Sequence, residues 1–206
     1  LVYVYKEDNF ALDKNYIILD YLGDYNQTTI ELPAIAKGIN LNILSKFTNL
    51  TSITIGSDVA NLNSDVFSDC SNLKEINVST ENPNYCSENG VLFSKDKTEL
   101  IKYPIAKSDV SYNIPNTVTS IGSQAFAGCS GLSSITIPNS IIGINTQAFE
   151  GCENLKTVCN FSDLNITKGS IGYGYVGYYA DLIYTYKQDD FVLDKNYIIF
   201  DYLGDY

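Results

Sequence analysis

IPNTVTSIGSQAFAGCSGLSSIT (residues 114–136) is followed at once by IPNSIIGINTQAFEGCENLKTVC (residues 137–159), and the two stretches align without a gap over 23 positions. The aligned pairs keep proline, isoleucine, the Ala-Phe and Gly-Cys dipeptides and leucine at the same offsets. They are Pro115 and Pro138, Ile121 and Ile144, Ala125 and Ala148, Phe126 and Phe149, Gly128 and Gly151, Cys129 and Cys152, and Leu132 and Leu155. Agreement at a fixed period of this length is the signature of a solenoid, whose units pack only against their neighbours.

The same period continues toward the N-terminus with more variation. Leu32, Ile55 and Val78 are each 23 residues apart, but Ile114 follows Val78 by 36 residues, which is one period plus 13. The added length carries two short apolar runs within residues 90–103, on either side of a Ser-Lys-Asp-Lys turn. This pattern predicts a β-hairpin inserted into one coil.

Each unit combines one strand with one turn. Alternation at Ile135 and Ile137 predicts a short strand with both isoleucines inward and Thr136 outward. Pro138 ends the strand, because proline fixes φ and has no N–H for the ladder. Residues 123–129 predict about one helical turn whose apolar side faces the core. The predicted fold is therefore an α/β repeat solenoid with short parallel strands, short helical turns and an inserted β-hairpin.

A second, longer repeat joins the two ends of the chain. Residues 3–25 match residues 184–206 at 18 of 23 positions. We interpret the pair as boundary modules of a longer tandem array, and two identical terminal caps are the alternative. The predicted organisation has three parts: a hairpin-like boundary or cap module at 1–27, the solenoid at 28–161 with its insertion at about 79–112, and at 162–206 a Tyr/Gly-rich segment followed by the second boundary module.

The repeated signature I-P-N-[ST]-[VI]-x-x-I-x-x-x-A-F-x-G-C-x-x-L resembles the BspA-like leucine-rich repeats, also called the Treponema pallidum type. The resemblance covers about residues 28–161. The sequence departs from the family pattern in the first coils, where Phe47 occupies the position of the later cysteines. The resemblance implies a leucine-rich-repeat solenoid, secreted or on a cell surface, with a role in adhesion to host matrix proteins or in coaggregation.

Composition excludes several function classes. The formal net charge of −11 disfavours nucleic acid and anionic membrane surfaces, which both attract basic proteins. No apolar run is long enough to insert in a membrane. The chain has no His, so a Ser-His-Asp triad or a Cys-His pair cannot form. The acidic residues fall in turn-like segments without a sign of a cleft, and no C-x-x-C or EF-hand pattern occurs. We therefore expect no enzyme activity, no metal and no cofactor.

Five cysteines raise a separate question. Cys70, Cys129 and Cys152 share one repeat position, which indicates small polarizable core residues rather than a metal or thiol ladder. Cys86 and Cys159 lie outside that register. A disulfide that involves either of them stays open, because connectivity cannot be read from sequence.

Two surfaces are candidates for partner binding. The outward side of the strands presents a polar face rich in hydroxyl groups, and a merely solvated sheet is the alternative interpretation. Its residues are Thr29, Glu31, Ser52, Thr54, Glu75, Asn77, Ser111, Asn113, Ser134, Thr136 and Thr157. The second candidate is the Tyr/Gly-rich stretch, because exposed tyrosines are good binding anchors. Its residues are Tyr173, Tyr175, Tyr178 and Tyr179. The alternative there is a segment that closes the solenoid with half of its tyrosines buried.

The sequence thus predicts an extracellular recognition or adhesion module that binds a protein or a glycan, including a host extracellular-matrix component. Many weak polar contacts on a rigid surface would be multiplied by tandem copies. A structural spacer in a surface array is one alternative function. An accessory module of a larger surface enzyme is another.

Overall fold

The computed structural model describes residues 5–40, 43–62 and 64–185. Within these residues the chain is a β-solenoid built from coils of about 23 residues. The strands, in chain order, are β1 (Tyr5–Glu7), β2 (Phe10–Leu12), β3 (Ile17–Tyr21), β4 (Thr29–Glu31), β5 (Gly38–Ile39), β6 (Ser52–Ile55), β7 (Glu75–Val78), β8 (Tyr85–Glu88), β9 (Val91–Ser94), β10 (Glu99–Lys102), β11 (Ser111–Asn113), β12 (Ser120–Ile121), β13 (Ser134–Ile137), β14 (Gly143–Ile144), β15 (Thr157–Asn160) and β16 (Leu182–Thr185).

One strand from each coil contributes to a row of parallel strands that we call the front sheet. It has two blocks, β4-β6-β7 and β11-β13-β15-β16. Ile30 aligns with Ile53, and Ile53 with Ile76, so neighbouring strands are offset by the 23-residue period. Every second residue of β13 is buried, as the alternation predicts. The predicted parallel stacking and its period are confirmed.

A second row of shorter strands runs along another side of the coils. β10, β12 and β14 pair in parallel, as do β3 and β5. Two antiparallel groups adjoin this row. β1, β2 and β3 form one at the N-terminal end, and β8, β9 and β10 form the other between the two front-sheet blocks.

The interior holds two clusters of buried apolar side chains, one in each half of the solenoid, and equivalent side chains recur once per coil. Phe126 and Phe149 stack with ring centroids 4.6 Å apart, and Tyr103 stacks on Phe126 at 5.0 Å. The cysteines at the shared repeat position are buried in the same core, which confirms their interpretation as packing residues. They are Cys70, Cys129 and Cys152. All five cysteines of the chain are free thiols in this structure.

The structure does not confirm the predicted short helical turns. Among the described residues there is almost no helix, only 3-10 segments at Leu44–Lys46, Ser64–Phe67 and Tyr173–Tyr175. Gln124 has a left-handed φ of 54°, which ends any helix there. The Phe126 N–H donates to the Ala148 carbonyl at 2.7 Å instead of to its own coil. The third side of the solenoid is therefore also held by hydrogen bonds between coils.

The N-terminal hairpin packs against the first coils. Phe10, Leu12 and Ile18 are buried in the core formed by the N-terminal half of the solenoid. This contact covers apolar side chains at the N-terminal end, as a solenoid requires at its ends. The second copy of this module, at 184–206, lies outside the described residues after Thr185.

Candidate recognition surface

The front sheet brings the predicted strand-face residues together in rows, one residue per coil. Parallel pairing without a register shift places residues 23 apart side by side. The rows are Thr29, Ser52 and Glu75; Glu31, Thr54 and Asn77; Ser111, Ser134 and Thr157; and Asn113, Thr136 and Cys159. Most of the outward side chains on the outer strands are exposed, although Asn77 on β7 is half-buried, and those with neighbours on both sides are half-buried.

The two blocks differ in charge. The N-terminal block has Glu31 and Glu75 exposed on its outer strands. The strands of the C-terminal block have the sequences SYN, SITI, TVCN and LIYT, without a charged residue. A partner that spans the face would meet carboxylates on the first block and only neutral hydroxyl, amide and apolar groups on the second.

The face is divided where the β8–β9 turn approaches β7. The Ile76 N–H donates to the Gly90 carbonyl at 2.8 Å, and the Val78 N–H donates to Ser87 Oγ at 3.1 Å. Gly90 has a φ of 78°, and a Cβ there would lie 2.8 Å from Glu75 Cβ, so this approach requires glycine. β7 and β11 are therefore not paired, and the predicted strand face is two blocks rather than one sheet.

A cleft of about 410 Å³ opens at the end of the C-terminal block, where the strands turn. We call it the amide cleft. It is lined by Asn113, Ile114, Asn116, Thr136, Pro138, Asn139 and Phe161. Asn113 and Thr136 belong to the predicted strand face, but the other five residues were not predicted as binding residues.

A buried asparagine shapes one wall of the amide cleft. Asn160 Nδ2 donates to the Leu164 carbonyl at 2.8 Å, and Asn160 Oδ1 accepts from the Ser162 N–H and Oγ at 3.0 and 2.6 Å. This turn holds Phe161 with 41% of its surface exposed. The sequence contains a signal for it, because Asn160-Phe161-Ser162 replaces the Ile-Pro-Asn that the two preceding coils have at this point.

The Tyr/Gly-rich segment lies against the last coil through its small residues. Gly174 accepts the Phe149 N–H at 2.7 Å, and Val176 and Ala180 are buried in the core. The predicted tyrosines stay outside: Tyr173 and Tyr178 are exposed, and Tyr175 and Tyr179 are half-buried. Half of these tyrosines are thus partly buried and none is fully buried, because glycine, valine and alanine make the closest contacts with the coil.

An unpredicted lysine lies in the core. Lys102 is 2% exposed, and its Nζ donates to the Gln124 carbonyl at 2.8 Å. It stands 23 residues before Ala125, at a position where neighbouring coils have apolar side chains. Burial lowers its pKa, because the interior solvates the ammonium less well than water does. A reactive role is disfavoured, since almost none of the side chain reaches solvent.

Comparison with known proteins gives a family and a fold. A profile described as the BspA type leucine-rich repeat region matches residues 21–113 and 106–171, with six copies. The pneumococcal vaccine antigen PcpA is 21% identical with a TM-score of 0.50, over 78% of this chain and 55% of that chain. A leucine-rich repeat protein from Eubacterium ventriosum is 24% identical with a TM-score of 0.49, over 71% of this chain and 45% of that chain.

A third structure aligns over more of both chains, but with a lower sequence identity and a lower TM-score. It is a leucine-rich cell surface protein from Faecalibacterium prausnitzii, 15% identical with a TM-score of 0.35 over 91% of this chain and 96% of that chain. The chain spans about half the length of the PcpA and Eubacterium structures. None of the curated proteins matches it. No helix in the described part of the chain is long and apolar enough to span a membrane.

Proposed function

Because the chain belongs to the BspA-type leucine-rich-repeat family, we propose that it is a recognition or adhesion module that acts at a bacterial cell surface. It binds a protein or glycan partner, including components of the host extracellular matrix, through the front sheet. Family membership supports the surface location. The binding role rests on the strand face itself.

The observation that carries the proposal is the register of the front sheet. Its hydroxyl and amide side chains stand in rows across neighbouring strands, and the inward side of the same strands is tightly packed core. A rigid backbone fixes these groups before binding, so less conformational entropy is lost when a partner docks. Each neutral contact is weak, about 0.5–1.5 kcal/mol. Tandem copies of the module would raise the overall affinity through effective concentration.

The predicted three-part organisation belongs to this proposal. Residues 1–27 would be one boundary module, 28–161 the binding solenoid, and 162–206 the Tyr/Gly-rich closing segment with the second boundary module. The buried contacts of β2 and β3 with the first coils support a capping role for the N-terminal module.

The experiment is a binding screen of the 206-residue chain against immobilised matrix proteins and glycans. A front-sheet variant carries lysine in place of Ser52, Thr54, Ser134 and Thr136, whose side chains are half-buried on the face. A matched control carries the same four added charges at exposed positions outside the front-sheet strands. These are Ser71, Thr80, Ser108 and Ser130. Far-UV circular dichroism and thermal unfolding establish that both variants fold.

We expect specific binding by the wild-type chain and the control variant, and loss of binding by the front-sheet variant. Binding that survives in the front-sheet variant would place recognition elsewhere, with Tyr173 and Tyr178 as the next candidates because both are exposed. Absence of binding by the folded wild-type chain across the whole screen would refute the proposal and favour a structural spacer.

A further inference from the structure

The lining of the amide cleft combines several amides with an exposed aromatic ring. No lining residue carries a charge, although the whole chain has a formal charge of −11. We propose that the amide cleft is a subsite for a neutral glycan, in which the Phe161 ring packs on one sugar face and the asparagine amides hydrogen-bond to hydroxyl groups. This inference rests on the proposed recognition function and names the ligand class for one end of the surface.

The asparagines of the amide cleft differ from those that stabilise the fold. Asn72 Nδ2 donates to the Thr48 carbonyl and Asn154 Nδ2 to the Ser130 carbonyl, both at 2.7 Å and both across neighbouring coils. By contrast, the side chains of the four polar residues that line the cleft make no hydrogen bond to another described residue. They are Asn113, Asn116, Thr136 and Asn139. Their donors and acceptors are therefore available to a ligand.

The chemistry of these side chains matches vicinal hydroxyl groups. A carboxamide presents two N–H donors and a carbonyl acceptor on one planar group, so it can donate to one sugar hydroxyl and accept from the next. Asn116 and Asn139 follow equivalent prolines in adjacent coils, and adjacent parallel strands lie about 4.8 Å apart. Successive sugars along the stacking direction would thus meet equivalent amides.

Phe161 supplies the apolar contact that neutral sugars need. The Asn160–Ser162 hydrogen bonds fix the turn on both sides of it, so the ring is positioned before a ligand arrives. Ile114 and Pro138 are buried beneath the same cleft and extend its apolar floor. A charged peptide or an acidic polysaccharide finds no ion-pair partner among the lining residues.

The test uses an array of neutral oligosaccharides, with α- and β-linked hexose and N-acetylhexosamine chains, followed by affinity measurement for the hits. Phe161→Ala and Asn139→Ala are the site variants. Ile142→Ala and Asn165→Ala are the matched controls, since they remove another exposed apolar side chain and another exposed amide outside the cleft. We expect Phe161→Ala to weaken binding about tenfold or more and Asn139→Ala about three- to tenfold, with both controls unchanged.

A second measurement does not depend on variants. The side-chain amide signals of the wild-type protein are followed by NMR while a hit oligosaccharide is added. We expect the Asn113, Asn116 and Asn139 signals to shift and the Asn72 and Asn154 signals to stay in place. No binding of any neutral oligosaccharide by the folded chain would overturn the inference, as would binding that leaves these signals unmoved. Binding of a matrix protein lost in the front-sheet variant, without glycan binding, would overturn this inference alone and leave the recognition function standing.

Discussion

Replacing Gly174 with alanine tests how the Tyr/Gly-rich segment is held against the last coil. Gly174 is buried with a φ of 62°, and a Cβ there would lie 2.4 Å from the Asn145 carbonyl oxygen. Two costs therefore add. A left-handed conformation costs a residue with a Cβ about 1–2 kcal/mol, and overpacking against backbone costs about 1–3 kcal/mol more. We expect Gly174→Ala to lower the free energy of unfolding by about 2–5 kcal/mol.

Two other glycines separate these costs. Gly169 has a φ of 74° but open space around a Cβ, so Gly169→Ala should lose only about 1–2 kcal/mol. Gly143 has open space and no left-handed φ, so Gly143→Ala should change stability by less than about 0.5 kcal/mol. Urea unfolding followed by tyrosine fluorescence and circular dichroism measures all three, because the chain has 17 Tyr and no Trp. Equal losses for Gly174→Ala and Gly169→Ala would refute the close contact between the segment and the coil.

Three further predictions concern ionisable side chains. Burial lowers the pKa of Lys102 below 10.5, so between its folded-state pKa and 10.5 the protein takes up a proton when it unfolds. The wild-type protein therefore loses stability relative to Lys102→Met as pH falls from 10.5. Urea unfolding of both proteins at several pH values measures this difference in the free energy of unfolding. A thiol-specific dye should label Cys86 and Cys159 first, since these are half-buried and the other three cysteines are buried, and fast labelling of more than two thiols in native protein would contradict the burial. The Lys46 ammonium donates to the Asp20 carboxylate at 2.8 Å and is the largest cause that lowers the pKa of Asp20 to about 2. The stabilisation from the ionised Asp20 is therefore fully present above pH 3.8 and is lost as pH falls through 2. NMR titration of the Asp20 carboxyl should show a higher pKa in Lys46→Gln than in wild type.

The 23-residue period made most of the fold predictable. A side chain that recurs once per coil must stack on its equivalent, so the repeat fixed both the parallel pairing and the register of the front sheet. Ile135 and Ile137 are buried and Thr136 is half-buried, as the alternation predicts. The helical turns are not confirmed, because the Gln124, Phe126 and Gly128 amides donate to carbonyls of the next coil. Such inter-coil bonds are tertiary contacts, which local helix propensity does not report.

The candidate surface was predictable only in its repeated part. The outward positions of the front sheet follow from alternation, but its division into two blocks depends on where the β8–β9 turn docks. Phe161 was not predicted because it departs from the repeat and stands where the two preceding coils have Pro115 and Pro138. The departures from the pattern, Asn160-Phe161-Ser162 and the buried Lys102, mark the places where this chain differs from a uniform solenoid.

Threonine-methyl NMR tests the recognition surface most directly. Thr29, Thr54, Thr136 and Thr157 lie on the front sheet, whereas Thr146 and Thr167 lie beside the Tyr/Gly-rich segment. Each hit of the binding screen is added to methyl-labelled protein and the shift of every threonine signal is measured. We expect shifts concentrated at the four front-sheet threonines. Shifts confined to Thr146 and Thr167, with the front-sheet signals unmoved, would contradict this expectation.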